Sequence, residues 1–134
     1  MAELVLDASA LLAYLHDEAG AEAVADAIAR SAAISAANWA ETLSKLAEHG
    51  VDSGRLAGEL EEQGLLHGLL EVVPLTAADA VAIAELRPRT RDLGWSLGDR
   101  ACLALALRLD RPVLTADRSW ARLDELGLDV RPIR

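Results

Sequence analysis

Four carboxylates, Asp7, Glu41, Asp99 and Asp117, stand far apart in a chain of 134 residues. Each has a plain structural role open to it. Asp7 is a favoured N-cap residue for the helical stretch that follows it. Ser96-Leu97-Gly98-Asp99 matches the capping-box pattern, and an acid in a first helical turn complements the helix dipole. Asp117, within Ala116-Asp117-Arg118-Ser119, suits a cap or a turn. Glu41 suits a solvated helix face. Their predicted meeting at one end of a sheet is the stronger signal. Gathered carboxylates repel one another, and some take up protons. A divalent cation removes the conflict. Mg²⁺, with Mn²⁺ as a substitute, prefers oxygen ligands and keeps several waters. Such an ion activates a water and stabilises charge on a phosphate. The expected chemistry is metal-assisted attack on a phosphate ester, with the four acids as both catalytic and metal-binding residues.

The elements that must position these acids can be read from the apolar pattern. Leu4-Val5-Leu6 is a short apolar run of the kind that forms a buried strand, with Asp7 straight after it. Residues 8–15 and 20–30 have helical character, and 32–35 suit a second strand. The pattern over 36–49 predicts a helix with Trp39, Leu43, Leu46 and Ala47 as its apolar stripe, stopped by Gly50. Another helix is expected from 53 to 64 and a strand over 70–75. Thr76 caps a helix expected to fade near Pro88, with 88–96 as a loop or broken helix. A nearly all-apolar helix follows over 97–109. Next come a strand at 113–115, a short helix at 119–126 and an edge strand at 130–133. Alternating strands and helices imply an α/β fold. The expected architecture is a single domain over 1–134, a three-layer α/β/α sandwich around a mostly parallel sheet.

In such sheets ligands bind at the carboxyl ends of the strands. Asp7 directly follows the first strand, and Asp117 lies two residues past Thr115, after the late strand. Glu41 lies one to two turns into the helix after the second strand. Asp99 opens a helix that runs antiparallel to the strands, so it lies at the same edge. Ser9, Ser96 and Thr115 are candidate supports, as capping groups or as partners for the acids. Asn38 is one turn before Glu41; a solvated position is favoured for it over a place in the pocket. Arg118 is placed to hold a phosphate or to form a structural ion pair. Arg87, Arg89 and Arg91 form a basic cluster, and Arg100 either brings charge to the pocket or points outward.

Other chemistries fit less well. His16, His49 and His67 are scattered, with no zinc-type spacing. Cys102 lies inside the apolar helix and reads as core. The Gly-rich nucleotide motifs and the GxSxG nucleophile elbow are absent. The net charge of −9 opposes nucleic-acid binding at first sight. The charge is uneven, however. Residues 1–86 hold three basic residues against 15 acids, and residues 87–134 hold ten arginines against seven acids. Aromatic residues make up 3% of the chain, so no base-stacking platform is evident; Trp39 reads as core, and core or interface packing is favoured for Trp95 and Trp120. A lone cysteine, no apolar run of membrane-spanning length and no basic leader at Met1-Ala2-Glu3 lead to the expectation of a cytoplasmic protein.

These segments, in this order, carry a family resemblance. Leu6-Asp7-Ala8-Ser9-Ala10-Leu11 looks like the opening strand and D-x-S motif of PIN-domain ribonucleases. Asn38-Trp39-Ala40-Glu41 resembles the segment with the family's helical acid, and Ser96-Leu97-Gly98-Asp99-Arg100-Ala101 its S-L-G-D-A stretch. Leu114-Thr115-Ala116-Asp117-Arg118 resembles its T-x-D-R motif. Within the family, the chain is similar to the VapC toxins of type II toxin–antitoxin systems. The resemblance implies an RNA-cleaving site at Asp7, Glu41, Asp99 and Asp117 that uses Mg²⁺ or Mn²⁺. It also implies a homodimer and a cognate antitoxin that covers the active-site face. Leu11, Leu12, Tyr14, Leu15 and the stretch from Leu65 to Leu70 are the apolar residues expected to meet such a partner. Arg100 departs from the family pattern, which favours a small residue there.

Two other readings stay open on the sequence. A phosphatase or phosphotransfer domain would use Asp7, but a dehalogenase-type phosphatase wants a second acid where Ser9 stands. A receiver-like domain wants acids just before Asp7 and a late lysine, and the lone lysine is Lys45. A degenerate PIN-like adaptor would bind proteins without cleaving anything; retention of all four acids counts against it.

Overall fold

Each expected strand forms. In the computed structural model, which describes residues 2–134, they are β1 (Leu4–Leu6), β2 (Ala32–Ser35), β3 (Leu70–Val73), β4 (Val113–Thr115) and β5 (Val130–Pro132). They lie in one sheet in the order β3-β2-β1-β4-β5, and every pairing is parallel. β1, β2 and β4 are buried at every position, which is why they read as unbroken apolar runs rather than alternating ones. Successive side chains enter opposite layers. Val5 and Val113 join a core built with α5 (Ala77–Thr90) and α6 (Leu97–Leu109). Leu4, Leu6 and Leu114 join a second core with α1 (Ala8–Leu15), α2 (Ala21–Ala29) and α4 (Ser53–Glu62). The three-layer sandwich is thus observed. No helix among the described residues is long and apolar enough to cross a membrane.

α3 (Ala36–Ala47) follows β2 with no intervening loop and packs against both α1 and α6. It therefore closes the carboxyl edge of the sheet. Its buried residues are Asn38, Thr42 and Leu46; of the predicted stripe Leu46 is buried, Trp39 and Leu43 are half-buried and Ala47 is exposed. Trp39 is only partly buried, against the second core. The reason is tertiary. The start of α6 lies against α3, and Asn38 reaches it with a hydrogen bond from Nδ2 to the Gly98 carbonyl at 2.9 Å. The neighbouring Thr42 hydroxyl is satisfied by the Asn38 carbonyl at 2.8 Å.

α5 runs through Pro88 and ends at Thr90, two residues past the point where it is expected to fade. The 88–96 stretch, expected as a loop or broken helix, holds the end of α5 and a 3₁₀ turn over Arg91–Leu93. A proline removes one helical N–H and crowds the preceding turn. Burial of Leu86 and Thr90 holds the turn in place, and side chains donate to its carbonyls. Thr90 Oγ1 donates to Leu86 O at 2.8 Å, and Arg100 Nη1 donates to Ile83 O at 3.0 Å. The segment after β4 is a 3₁₀ helix, Arg118–Leu126. Several residues expected at a partner surface are core instead: Leu11, Leu65, Leu66 and Leu70 are all buried, and Leu69 is the exposed leucine of that stretch, beside the exposed His67 and Gly68.

Candidate active site

The chain leaves β1 towards β2 on one side and later returns to β4 on the other. The carboxyl ends of β1 and β4 therefore flank a topological switch point, where open α/β sheets form their binding crevices. A cavity of about 140 Å³ lies there, and Asp7, Glu41, Asp99 and Asp117 all line it, with Ser9, Lys45 and Trp120. Four segments spread over more than a hundred residues thus deliver one carboxylate each.

The capping role expected of Asp7 is present, and its carboxylate also lines the cavity. It is the N-cap of α1, with Oδ1 accepting the Ala10 N–H at 2.8 Å. The same oxygen accepts Ser9 Oγ at 2.7 Å, and Oδ2 accepts Thr115 Oγ1 at 2.6 Å. Asp7 is 5% exposed. Burial raises its pKa above the ordinary carboxylate range, and the nearby charge of Asp99 pushes the same way. The three hydrogen bonds pull against that rise. Asp99 sits in a reciprocal capping box: Ser96 Oγ accepts the Asp99 N–H at 3.1 Å, and Asp99 Oδ2 accepts the Ser96 N–H at 3.0 Å. Asp117 caps the 3₁₀ helix, its Oδ1 accepting from Ser119 N at 2.9 Å and Ser119 Oγ at 2.6 Å. Glu41 projects from the second turn of α3 towards Gly98. A β-carbon at Gly98 would lie 3.6 Å from both Glu41 oxygens.

The oxygens left over decide what the cavity can take. Asp99 Oδ1, Asp117 Oδ2 and both Glu41 oxygens accept no hydrogen bond among the described residues. Asp7 Oδ2 accepts one donor and has capacity for another. The donors are all hard carboxylate oxygens, the set that suits Mg²⁺ or Mn²⁺. Among the described residues no three of the acids are drawn into a ready-made metal-binding group; they line the cavity separately. The residue set fits a divalent cation, with Glu41 as the longest and most adaptable arm.

The supporting residues divide. Ser9 and Thr115 touch Asp7 directly, and Ser9 Oγ also accepts the Ala116 N–H at 2.9 Å. Ser96 acts through the α6 cap and does not line the cavity. Asn38 is not solvated: it is 1% exposed, with Nδ2 on Gly98 and Oδ1 buried without a partner. Arg118 turns away, its Nε donating to the Arg134 carbonyl at 2.7 Å. Arg100 likewise serves α5 and not the cavity. Of the basic cluster, Arg87 reaches the Trp95 carbonyl at 3.5 Å. Cys102 is buried beneath the site, its thiol 3.9 Å from the Leu6 carbonyl. Trp95 and Trp120 are both buried and stack on each other with centroids 4.5 Å apart. Lys45 is the lining residue that sequence reasoning passed over; its position one turn beyond Glu41 on the same helix was the available signal.

The family model of the PIN domain matches residues 4–126. The chain belongs to the PIN-domain family. Comparison with curated proteins gives no significant match. Among solved structures, this PIN domain is similar to a chain of a toxin–antitoxin complex from Klebsiella pneumoniae, with a TM-score of 0.73, 17% identity and coverage of 98% of both chains. It is similar to a chain of FitAcB from Neisseria gonorrhoeae, with a TM-score of 0.71, 20% identity and coverage of 97% of both. It is also similar to a chain of VapBC2 from Rickettsia felis, crystallised with a promoter DNA fragment; there the TM-score is 0.66, with 16% identity and coverage of 96% of this chain and 97% of that one. At these identities the likeness is one of fold.

Proposed function

We propose that this PIN domain is a metal-dependent ribonuclease and the toxin half of a VapC-like toxin–antitoxin pair. The observation that carries the reading is the convergence of Asp7, Glu41, Asp99 and Asp117 on one cavity at the β1–β4 switch point. Mg²⁺ or Mn²⁺, bound there, supplies an activated water and a counter-charge for the phosphate. The protein's own residues prepare the place. Ser9, Thr115 and the Ala10 N–H fix the Asp7 carboxylate in one orientation. The capping box does the same for Asp99 and leaves its Oδ1 free. Glu41 and Asp117 complete the ring of oxygens. The solved relatives of similar fold include toxin–antitoxin complexes, and a cognate antitoxin is the partner proposed here, with the cytoplasm as the compartment.

The test is incubation of the purified, partner-free chain with a panel of structured RNAs in Mg²⁺, Mn²⁺ or EDTA, beside Asp7→Asn and Asp99→Asn. Cleavage should need the metal and vanish in both variants. Cleavage that persists in the variants would remove the site assignment. A folded, metal-bound protein that cleaves no RNA would favour a binding adaptor, and hydrolysis of a small phosphomonoester in place of RNA would favour a phosphatase.

A further inference from the structure

Lys45 is the one lysine in a chain with twelve arginines, and it lines the acid cavity. Among the described residues no other basic side chain does so. The arginines next in sequence to the acids are committed elsewhere: Arg100 to the Ile83 carbonyl and Arg118 to the Arg134 carbonyl. Lys45 stands four residues after Glu41, the spacing at which Arg55 and Glu59 form an ion pair at 3.2 Å on α4. Glu41 and Lys45 form no such pair among the described residues, so the ammonium is left unspent. A cation in the last turn of α3 complements the helix dipole, which accounts for a basic residue there but not for its place on the cavity wall.

We infer that Lys45 holds a phosphate of the RNA strand flanking the bond to be cut, a role that rests on the nuclease reading above. A polyanion entering a cavity walled by four carboxylates on a chain of net charge −9 needs a local cation for the phosphates the metal does not cover. An ammonium is a compact point charge with three rotatable donors, which suits a backbone phosphate of variable orientation. A contact to a flanking phosphate is made alike before and during the reaction, so it governs binding and not the chemical step.

The experiment measures kcat and KM for cleavage of one RNA over a range of NaCl concentrations, for wild type, Lys45→Met and Lys45→Arg. Lys45→Met should raise KM and spare kcat. It should also flatten the plot of log(kcat/KM) against log[salt] by about 0.7, the slope of one single-strand phosphate contact. Lys45→Arg should restore the slope. Because Lys45 is exposed, the unfolding midpoint serves as the control: Lys45→Met should lower it only slightly, by the lost complement to the helix dipole, and Lys45→Arg should leave it in place. An active wild type with an indistinguishable Lys45→Met would overturn this assignment alone. A wild type that cleaves no RNA would take down the nuclease reading and this inference together.

Discussion

Thr115 Oγ1 donates to Asp7 Oδ2 at 2.6 Å, joining the last residue of β4 to the first residue after β1. The same hydroxyl accepts the Asp117 N–H at 3.0 Å, so one buried side chain positions two of the four acids. Thr115→Val keeps the shape and removes both bonds. Loss of a buried hydrogen bond to a charged group, with the partners left unpaired, costs about 1–3 kcal/mol. Denaturant unfolding should show that loss, with cleavage falling as Asp7 loosens. Thr115→Ser should recover most of both, and an unchanged midpoint in Thr115→Val would show that the bond carries nothing.

Asp7 gives a pH dependence whose sign follows from burial. Its folded pKa is raised above the unfolded value, so between the two the native state binds more protons than the unfolded chain. Stability contributed at this site is then lost as pH rises from about 3.9 through the folded pKa. In EDTA, Asp7→Asn should therefore be more stable than wild type at neutral pH, and the gain should shrink on acidification. Thermal melts across pH test this. A variant less stable at neutral pH, with the difference independent of pH, would refute it. Mg²⁺ should stabilise wild type more than the variant, because ligands that bind only the native state raise stability.

Gly98 separates stability from activity. It lies at the second position of α6, and an added methyl would meet Asn38 Nδ2 and both Glu41 oxygens at 3.6 Å, an ordinary contact. Gly98→Ala should stabilise by about 0.4–1 kcal/mol through the unfolded chain. The same methyl restricts Glu41, so cleavage should drop. Equal or higher activity would show that Glu41 needs no freedom at that point.

Cys102 should be inert in the native protein. Its thiol pKa is pushed well above its ordinary value, first by burial and then by the charges of Asp7, Asp99 and Glu41, and the thiolate is the reactive form. A thiol reagent at neutral pH should label it only in denaturant. Rapid native labelling would place the site in an opened state.

Much of this was legible because local signals and tertiary demand coincided. The β1 and β4 runs, the caps at Asp7 and Thr76 and the box at Ser96–Asp99 all appear where propensity puts them. The face of α3 was not legible. Asn38 and Thr42 are buried because α6 arrives sixty residues later and supplies the partner for Asn38, and no periodicity within α3 encodes that. Pro88 marks the end of α5 only to within two residues, because the burial of Leu86 and Thr90 carries the last turn past it. The four acids were found by their place at strand ends, whereas Lys45, with no motif around it, needed the cavity itself.

The Trp95–Trp120 pair has an optical consequence. Two indoles with centroids 4.5 Å apart and planes tilted by 32° are near enough to couple electronically, and Trp120 also forms part of the acid cavity's wall. Under the metal-dependent reading proposed above, the pair would serve as an unlabelled gauge of cavity occupancy. An ion drawing the carboxylates inward would press on one ring of the pair, so near-ultraviolet dichroism and emission offer a titration signal free of substrate and of turnover.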